Sequence, residues 1–189
     1  DSFARAGKKR KKEMSILIGK SLSLKVADEI ASAAISAAIE QSFRPISVVV
    51  LDSAGHSIVT KRMDGCPGTA YEKISHAKAN TCVATKTCSR EYGNKYLKGK
   101  NGEPVTPDVF VRFVNQIGIL DGKIAGFPGG IVIRHADGGE IVGAVGISGA
   151  AGDEDEYCAL MGVKDCSIAD ELITEPAEHS CKTLNKSKM

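Results

Sequence analysis

The chain has 189 residues, 42% of them hydrophobic, with no tryptophan, 5% aromatics and a formal net charge of +2. That length fits one domain with appendages, and a balance so close to neutral excludes a molecule that acts as a nucleic-acid-binding polycation throughout. The core must be assembled from Ala, Val, Ile and Leu, and 20 glycines point to tight turns and close backbone approaches.

Residues 1–21 read as a basic flexible arm, because Lys8, Lys9, Arg10, Lys11 and Lys12 are consecutive cations. Such a block suits a nuclear signal, an anionic surface or an anchor in a larger assembly, and a solvated terminus is the alternative. Asp1 in place of Met suggests a chain from which a leading segment, such as an organelle-targeting peptide, was removed. No stretch approaches the roughly 20 consecutive apolar residues that a membrane span requires. From Ser23 to about Gln41, Leu24, Ala27, Ala31, Ala34 and Ala38, with Ile30, Ile35 and Ile39, recur at helical steps behind Ser23 as N-cap. Pro45 ends that helix.

A β-hairpin follows: Ile46–Leu51 as a buried strand, Asp52–Gly55 as the turn and His56–Met63 as the return. Thr69 with Glu72 reads as a capping box opening a long helix to about Tyr92, with Ala70, Ile74, Ala77, Thr81, Ala84 and Cys88 inward. Residues 93–104 read as an exposed loop. Thr106 and Pro107 open a short helix to about Gln116, although Val109–Val114 also suits a strand. Short strands are expected at 123–125, 131–135 and 140–148. The acidic run Asp153–Glu156 then complements the positive end of a further helix that ends near Gly162. Residues 164–189 read as a polar tail.

The six cysteines contain no C-x-x-C pair, and Cys82 and Cys88 are six positions apart. Free thiols in a reducing compartment are the expectation, with a pair joined through space as the alternative. Arg62, Asp64 and Lys78 can frame a polar pocket with the Gly129-Gly130 backbone, suited to a carboxylate or phosphate. The alternative is an Arg62–Asp64 structural pair beside a glycine turn. His76 is a candidate haem or metal ligand, and a helix-face ion pair with Glu72 is its alternative. His56 reads as a turn residue. No hydrolase elbow, P-loop or dinucleotide fingerprint is present, and Ser148 has no base that the sequence identifies.

Several blocks occur in one order: Val48–Asp52 with Gly55, Arg62–Gly65, His76–Ala79, Gly126–Gly130, and Gly143–Gly149 with Asp155 and Cys158-Ala159 beyond. Over about residues 22–163 the chain resembles the GlcG/HbpS family, which includes the C-terminal domain of PduO. The resemblance implies one α+β domain, a five-stranded antiparallel sheet packed with three to four helices, assembled into a homo-oligomer. It also implies association with haem or another tetrapyrrole. Some haem-binding relatives take an axial histidine from the first helix, and residues 23–41 contain none, which weakens the carry-over of that ligation while haem stays open as the cofactor. Three functions are open: a non-catalytic small-ligand binder, an assembly subunit that docks into a larger complex through its tails, and an enzyme on a small hydroxy- or oxo-acid.

Overall fold

A computed structural model describes residues 16–17, 21–98 and 103–184. The basic block Lys8–Lys12 lies outside the described residues, so the reading of the arm rests on sequence. In chain order the elements are β1 (Ile16–Leu17), β2 (Ser21–Leu22), α1 (Leu24–Gln41), β3 (Ser47–Asp52), β4 (Ser57–Arg62), α2 (Gly68–Thr85), α3 (Ser89–Leu97), α4 (Pro107–Ile119), β5 (Gly130–His135), β6 (Ile141–Ser148), α5 (Gly152–Lys164) and β7 (Leu172–Glu175). The main sheet is antiparallel with strand order β4-β3-β6-β5-β7, while β1 and β2 pair separately. This is an α+β fold with five α-helices among the described residues, one or two more than the sequence suggests.

Alternation along the strands divides the core. Val48, Val50, Ile131, Ile133, Val145 and Ile147 face α1 and α5. Val49, Leu51, Val132 and Ala144 face α2 through Ala79 and Cys82. Both faces depend on small residues. At Gly146 a Cβ would collide with the Ser75 carbonyl and come within 2.6 Å of the Ala79 nitrogen, so α2 can lie on β6 only because that position is bare. A third cluster, Tyr92, Phe113 and Ile124, ties α3 and α4 to the segment before β5.

The first helix forms as its pattern indicates, with the Ser23 Oγ accepting from the Val26 amide at 3.3 Å. The expected stripe is buried at Ala27, Ile30, Ala31, Ala34 and Ala38, joined by Val26 and Ala37, while Leu24 and Ile39 at its edge are 63% and 61% exposed. The second helix departs further. It starts at Gly68 after Pro67, so Thr69 lies inside it and caps nothing. It stops at Thr85, where Lys86 adopts φ 60, instead of running to Tyr92. The break exists because Ser89 is held elsewhere: its hydroxyl donates to the Phe127 carbonyl and accepts from the Gly130 amide. The expected loop from residue 93 is therefore helical through Leu97.

The expected strand at 123–125 is absent from the sheet. The fifth strand is β7, inside the segment read as a tail, where Leu172–Glu175 pairs with β5 from His135 to Val132. The Val109–Val114 run is helical within α4.

Candidate functional site

Lys78 lies on the inward face of α2 and is only 3% exposed. A buried ammonium requires bonded partners, and the fold supplies two: Lys78 Nζ donates to the Ile147 carbonyl at 2.6 Å and to Asp155 Oδ2 at 2.9 Å. Asp155 stands in the first turn of α5, 2% exposed, and its Oδ1 accepts from the Ala150 amide at 3.1 Å. Burial pushes the Asp155 carboxyl up to about 6 against the opposing pull of Lys78, and burial likewise draws the Lys78 ammonium down against Asp155.

Gly129 and Gly130 close over this pair. Gly129 holds φ +112, and a Cβ there would stand 2.9 Å from Lys78 Nζ; one on Gly130 would stand 2.6 Å from the Lys78 carbonyl. A second limb adjoins it. Arg90 of α3 donates through Nε to both Glu156 oxygens, at 3.1 and 2.9 Å, and through a terminal nitrogen to Asp153. Glu156 is 1% exposed. Burial opposes the Arg90 charge, but Glu156 and Asp153 more than offset it and the net direction is upward.

The structure thus brings Lys78, Gly129 and Gly130 together, and as a closed ionic hub. The Lys78 cation is engaged by α5 and β6, which leaves it no open face for a carboxylate or phosphate. Arg62 and Asp64 lie apart on the exposed turn after β4, where Arg62 donates to the Cys66 carbonyl at 2.9 Å. Among the described residues Arg62 and Asp64 form no ion pair, so the structural-pair alternative is not met either. Cys66 sits between this turn and the hub: burial raises its thiol, Arg62 lowers it and Asp155 raises it.

His76 is half-buried on α2, and among the described residues it forms no pair with Glu72. No group of three or more His, Cys, Asp or Glu side chains that could hold a metal occurs among the described residues. All six cysteines are free thiols and buried. Ser148 has no basic hydrogen-bond partner among the described residues.

The open feature of this region lies on the outer flank of α2. A cavity of about 250 Å³ runs between α2, α4 and residues 122–127, lined chiefly by Ile74, Ala77, Phe113, Ile117, Ile124 and Phe127, with Lys73 at its rim. Its walls are pre-set. Thr81 Oγ1 donates to the Ala77 carbonyl at 2.7 Å and accepts from the Ala125 amide at 2.8 Å, while Asn80 Nδ2 donates to the Lys123 carbonyl at 2.9 Å. Tyr96 stacks on Phe113 with centroids 5.3 Å apart, which fixes the α4 wall. Residues 111, 114 and 119 of α4 remain exposed and apolar.

Sequence reading missed Arg90, Glu156 and Lys73. The acidic run Asp153–Glu156 was the available signal. Four consecutive carboxylates exceed what a helix terminus needs, and three of them, Asp153, Asp155 and Glu156, pair with Lys78 or Arg90.

An α1–α5 layer, a five-stranded antiparallel sheet and α2 closed by an ionic hub define a class of α+β domain. A family model described as "Haem degrading protein HbpS-like" matches residues 22–164, and the chain belongs to that family. A solved HbpS structure is 28% identical with a TM-score of 0.61, covering 78% of this chain and 92% of that one. A double mutant of Streptomyces reticuli HbpS is 26% identical with a TM-score of 0.61, covering 78% and 88%. A PduOC:heme complex has a TM-score of 0.63 over 78% of this chain and 96% of that one, and at 24% identity it shows the shared fold. No curated protein matches the chain. No helix among the described residues is long and apolar enough to cross a membrane.

Proposed function

We propose that the protein is a non-catalytic binder of a small apolar ligand, which it holds in the cavity between α2, α4 and residues 122–127. The observation that carries this reading is the preformed apolar concavity of about 250 Å³, set beside a hub whose charged groups are mutually satisfied. Binding sites are typically concave and apolar with few polar groups, over a range of about 300–1,000 Å³, and this one, at about 250 Å³, falls just below it. Lys78, Gly129 and Gly130 act here as positioning residues, because they fix α2 against the segment that carries Phe127. Arg62 and Asp64 stand outside the site.

Haem with an axial histidine does not fit these residues. The first helix has no histidine, and His76 does not line the cavity. The family's haem association therefore supports the scaffold and the apolar character of the ligand, without a coordinate bond to iron. The test is titration of the full chain with a neutral naphthalene alcohol, read by ligand fluorescence, in parallel with haemin read at the Soret band. The expected result is saturable 1:1 binding of the alcohol, lost in Ala77→Phe with the far-UV spectrum and melting curve retained, and no low-spin haemin spectrum. Absence of saturable binding of the alcohol would remove the reading.

A second reading, an assembly subunit, is favoured by one observation: Phe110, Val111, Val114 and Ile119 of α4 are 48–78% exposed. Native mass of the full chain decides whether that face is covered by other chains.

A further inference from the structure

The reading above names an apolar ligand, and one side chain at the cavity specifies it further. Lys73 is the charged residue among those lining the space. It is exposed, and among the described residues it forms no hydrogen bond or ion pair. Two other lysines are engaged. Lys78 is bound to Asp155 and the Ile147 carbonyl, and Lys61, across the sheet, is paired with Asp28 at 2.8 Å.

An ammonium left free at the lip of an apolar cleft attracts an anion that delivers an apolar body inward. The stem of a lysine covers apolar surface while its head stays in water, so Lys73 can reach the rim without entering the cavity. The body of the ligand would meet Ile74, Ala77, Phe113 and Ile124. The cleft, of about 250 Å³ and open to solvent, has room for a bicyclic aromatic or a short acyl chain. The cleft supplies one cation, which matches one carboxylate.

We infer that the cavity takes an apolar monocarboxylate, an aromatic or short-chain acid, with its carboxylate on Lys73 Nζ and its hydrocarbon body between α2 and α4. This rests on the proposed function and specifies the ligand of that site. The binding needs no other group: a charge-assisted N–H···O bond is roughly twice as strong as a neutral one, and the stitched walls leave little ordering to be done on association. Exposure of the rim keeps the pair in contact with solvent, so added salt weakens it.

The experiment compares naphthylacetate with the isosteric neutral naphthylethanol on the full chain, by ligand fluorescence at low and at 0.5 M salt (about a threefold and more shortening of the screening length relative to dilute buffer). We expect naphthylacetate to bind about tenfold more tightly at low salt, a difference of about 1.4 kcal/mol. That preference should collapse at high salt and in Lys73→Gln, while naphthylethanol binding is unchanged by the substitution. Equal affinity of the two probes, or a preference that survives Lys73→Gln, overturns the inference and leaves the proposed function standing. Failure of both probes to bind removes both. A third outcome also overturns it: if Phe110→Asp converts an oligomer to a monomer and only then opens the cavity to either probe, a second copy of the chain is its occupant.

Discussion

Replacing Lys78 with methionine tests whether the hub works as a buried ion pair. The substitution keeps most of the side-chain volume and removes the cation bonded to Asp155. It also removes the 2.6 Å donor to the Ile147 carbonyl. Breaking a buried pair by deleting one partner costs about 3–5 kcal/mol, a large share of a typical total stability of about 5–15 kcal/mol. At about 2–4 °C per kcal/mol for a chain of this size, the melting temperature should fall by about 6–20 °C. The loss also depends on pH. Burial raises the Asp155 carboxyl from 3.8 to about 6 in the folded chain. A raised folded value means that the native state binds the proton more tightly than the unfolded state. The stability attached to this group is therefore fully present below about pH 4 and is lost as pH rises through about 6. At about 1.4 kcal/mol per pH unit that interval amounts to about 3 kcal/mol.

Without Lys78 the carboxyl loses its cation and moves higher still, so the loss continues to more alkaline pH. The cost of Lys78→Met should then be larger at pH 8 than at pH 5, where the protonated Asp155 needs no counter-charge. Urea unfolding followed by far-UV circular dichroism at both pH values measures this, and the absence of tryptophan makes that probe preferable to fluorescence. The double variant Lys78→Met/Asp155→Leu should regain most of the loss, because replacing both members of a buried pair by apolar residues is often neutral or stabilising. A cost below about 1 kcal/mol at pH 8, or one equal at both pH values, would refute the account.

Two further outcomes follow from packing. Gly146→Ala should destabilise by at least the roughly 1–3 kcal/mol of ordinary overpacking, since the new methyl meets the backbone of Ser75 and Ala79. Gly118→Ala, at a helical position with nothing within 4 Å, should stabilise by about 0.4–1 kcal/mol; paired denaturant melts distinguish the two. The cysteines should be inert in the folded chain, because all six are at most 7% exposed and burial raises the Cys66, Cys82, Cys88, Cys158 and Cys166 thiols. A thiol reagent applied with and without denaturant should count close to none and then six; rapid reaction of the native chain would contradict the burial.

What the sequence made legible is what local rules control. Ser23 and the alanine spacing after it are sufficient for α1, and Pro107 for the start of α4. The hairpin β3–β4 follows from a β-branched run and turn residues. Where the outcome depends on distant partners, the pattern misleads. Lys78 and Ser75 are polar, so periodicity turns them outward, yet both are buried because Asp155, Ile147 and Ser47 bond them from elements 28 to 77 residues away. The α2–α3 break has the same origin in the Ser89 contacts with Phe127 and Gly130. β7 is four residues of Leu-Ile-Thr-Glu, too short to announce a strand until β5 offers it an edge. At the site, of the residues singled out for charge and glycine content only Lys78, Gly129 and Gly130 meet at the hub, and the cavity beside it was hidden because its walls are ordinary apolar residues.

The hub and the cavity are two flanks of one helix, and this has a consequence for the ligand. On a helix of 3.6 residues per turn Lys73, Ile74 and Ala77 share one side, and Lys78 is turned about 100° from Ala77. Tying Lys78 inward to Asp155 therefore sets the rotation of α2 and presents Ala77 and Lys73 to the cavity. Because the hub engages its own charges, Lys78 and Arg90 are not free to hold a ligand in the cavity under the proposed reading. Affinity must come from apolar contact within about 250 Å³ and from one surface cation. At about 0.3 kcal/mol per ligand atom for larger ligands and up to about 1.5 for the smallest, a ligand of about a dozen heavy atoms spans about 4 to 18 kcal/mol, and micromolar binding, about 8 kcal/mol, lies within it. Under the proposed function, a carrier or sensor of a small acid is compatible with that range.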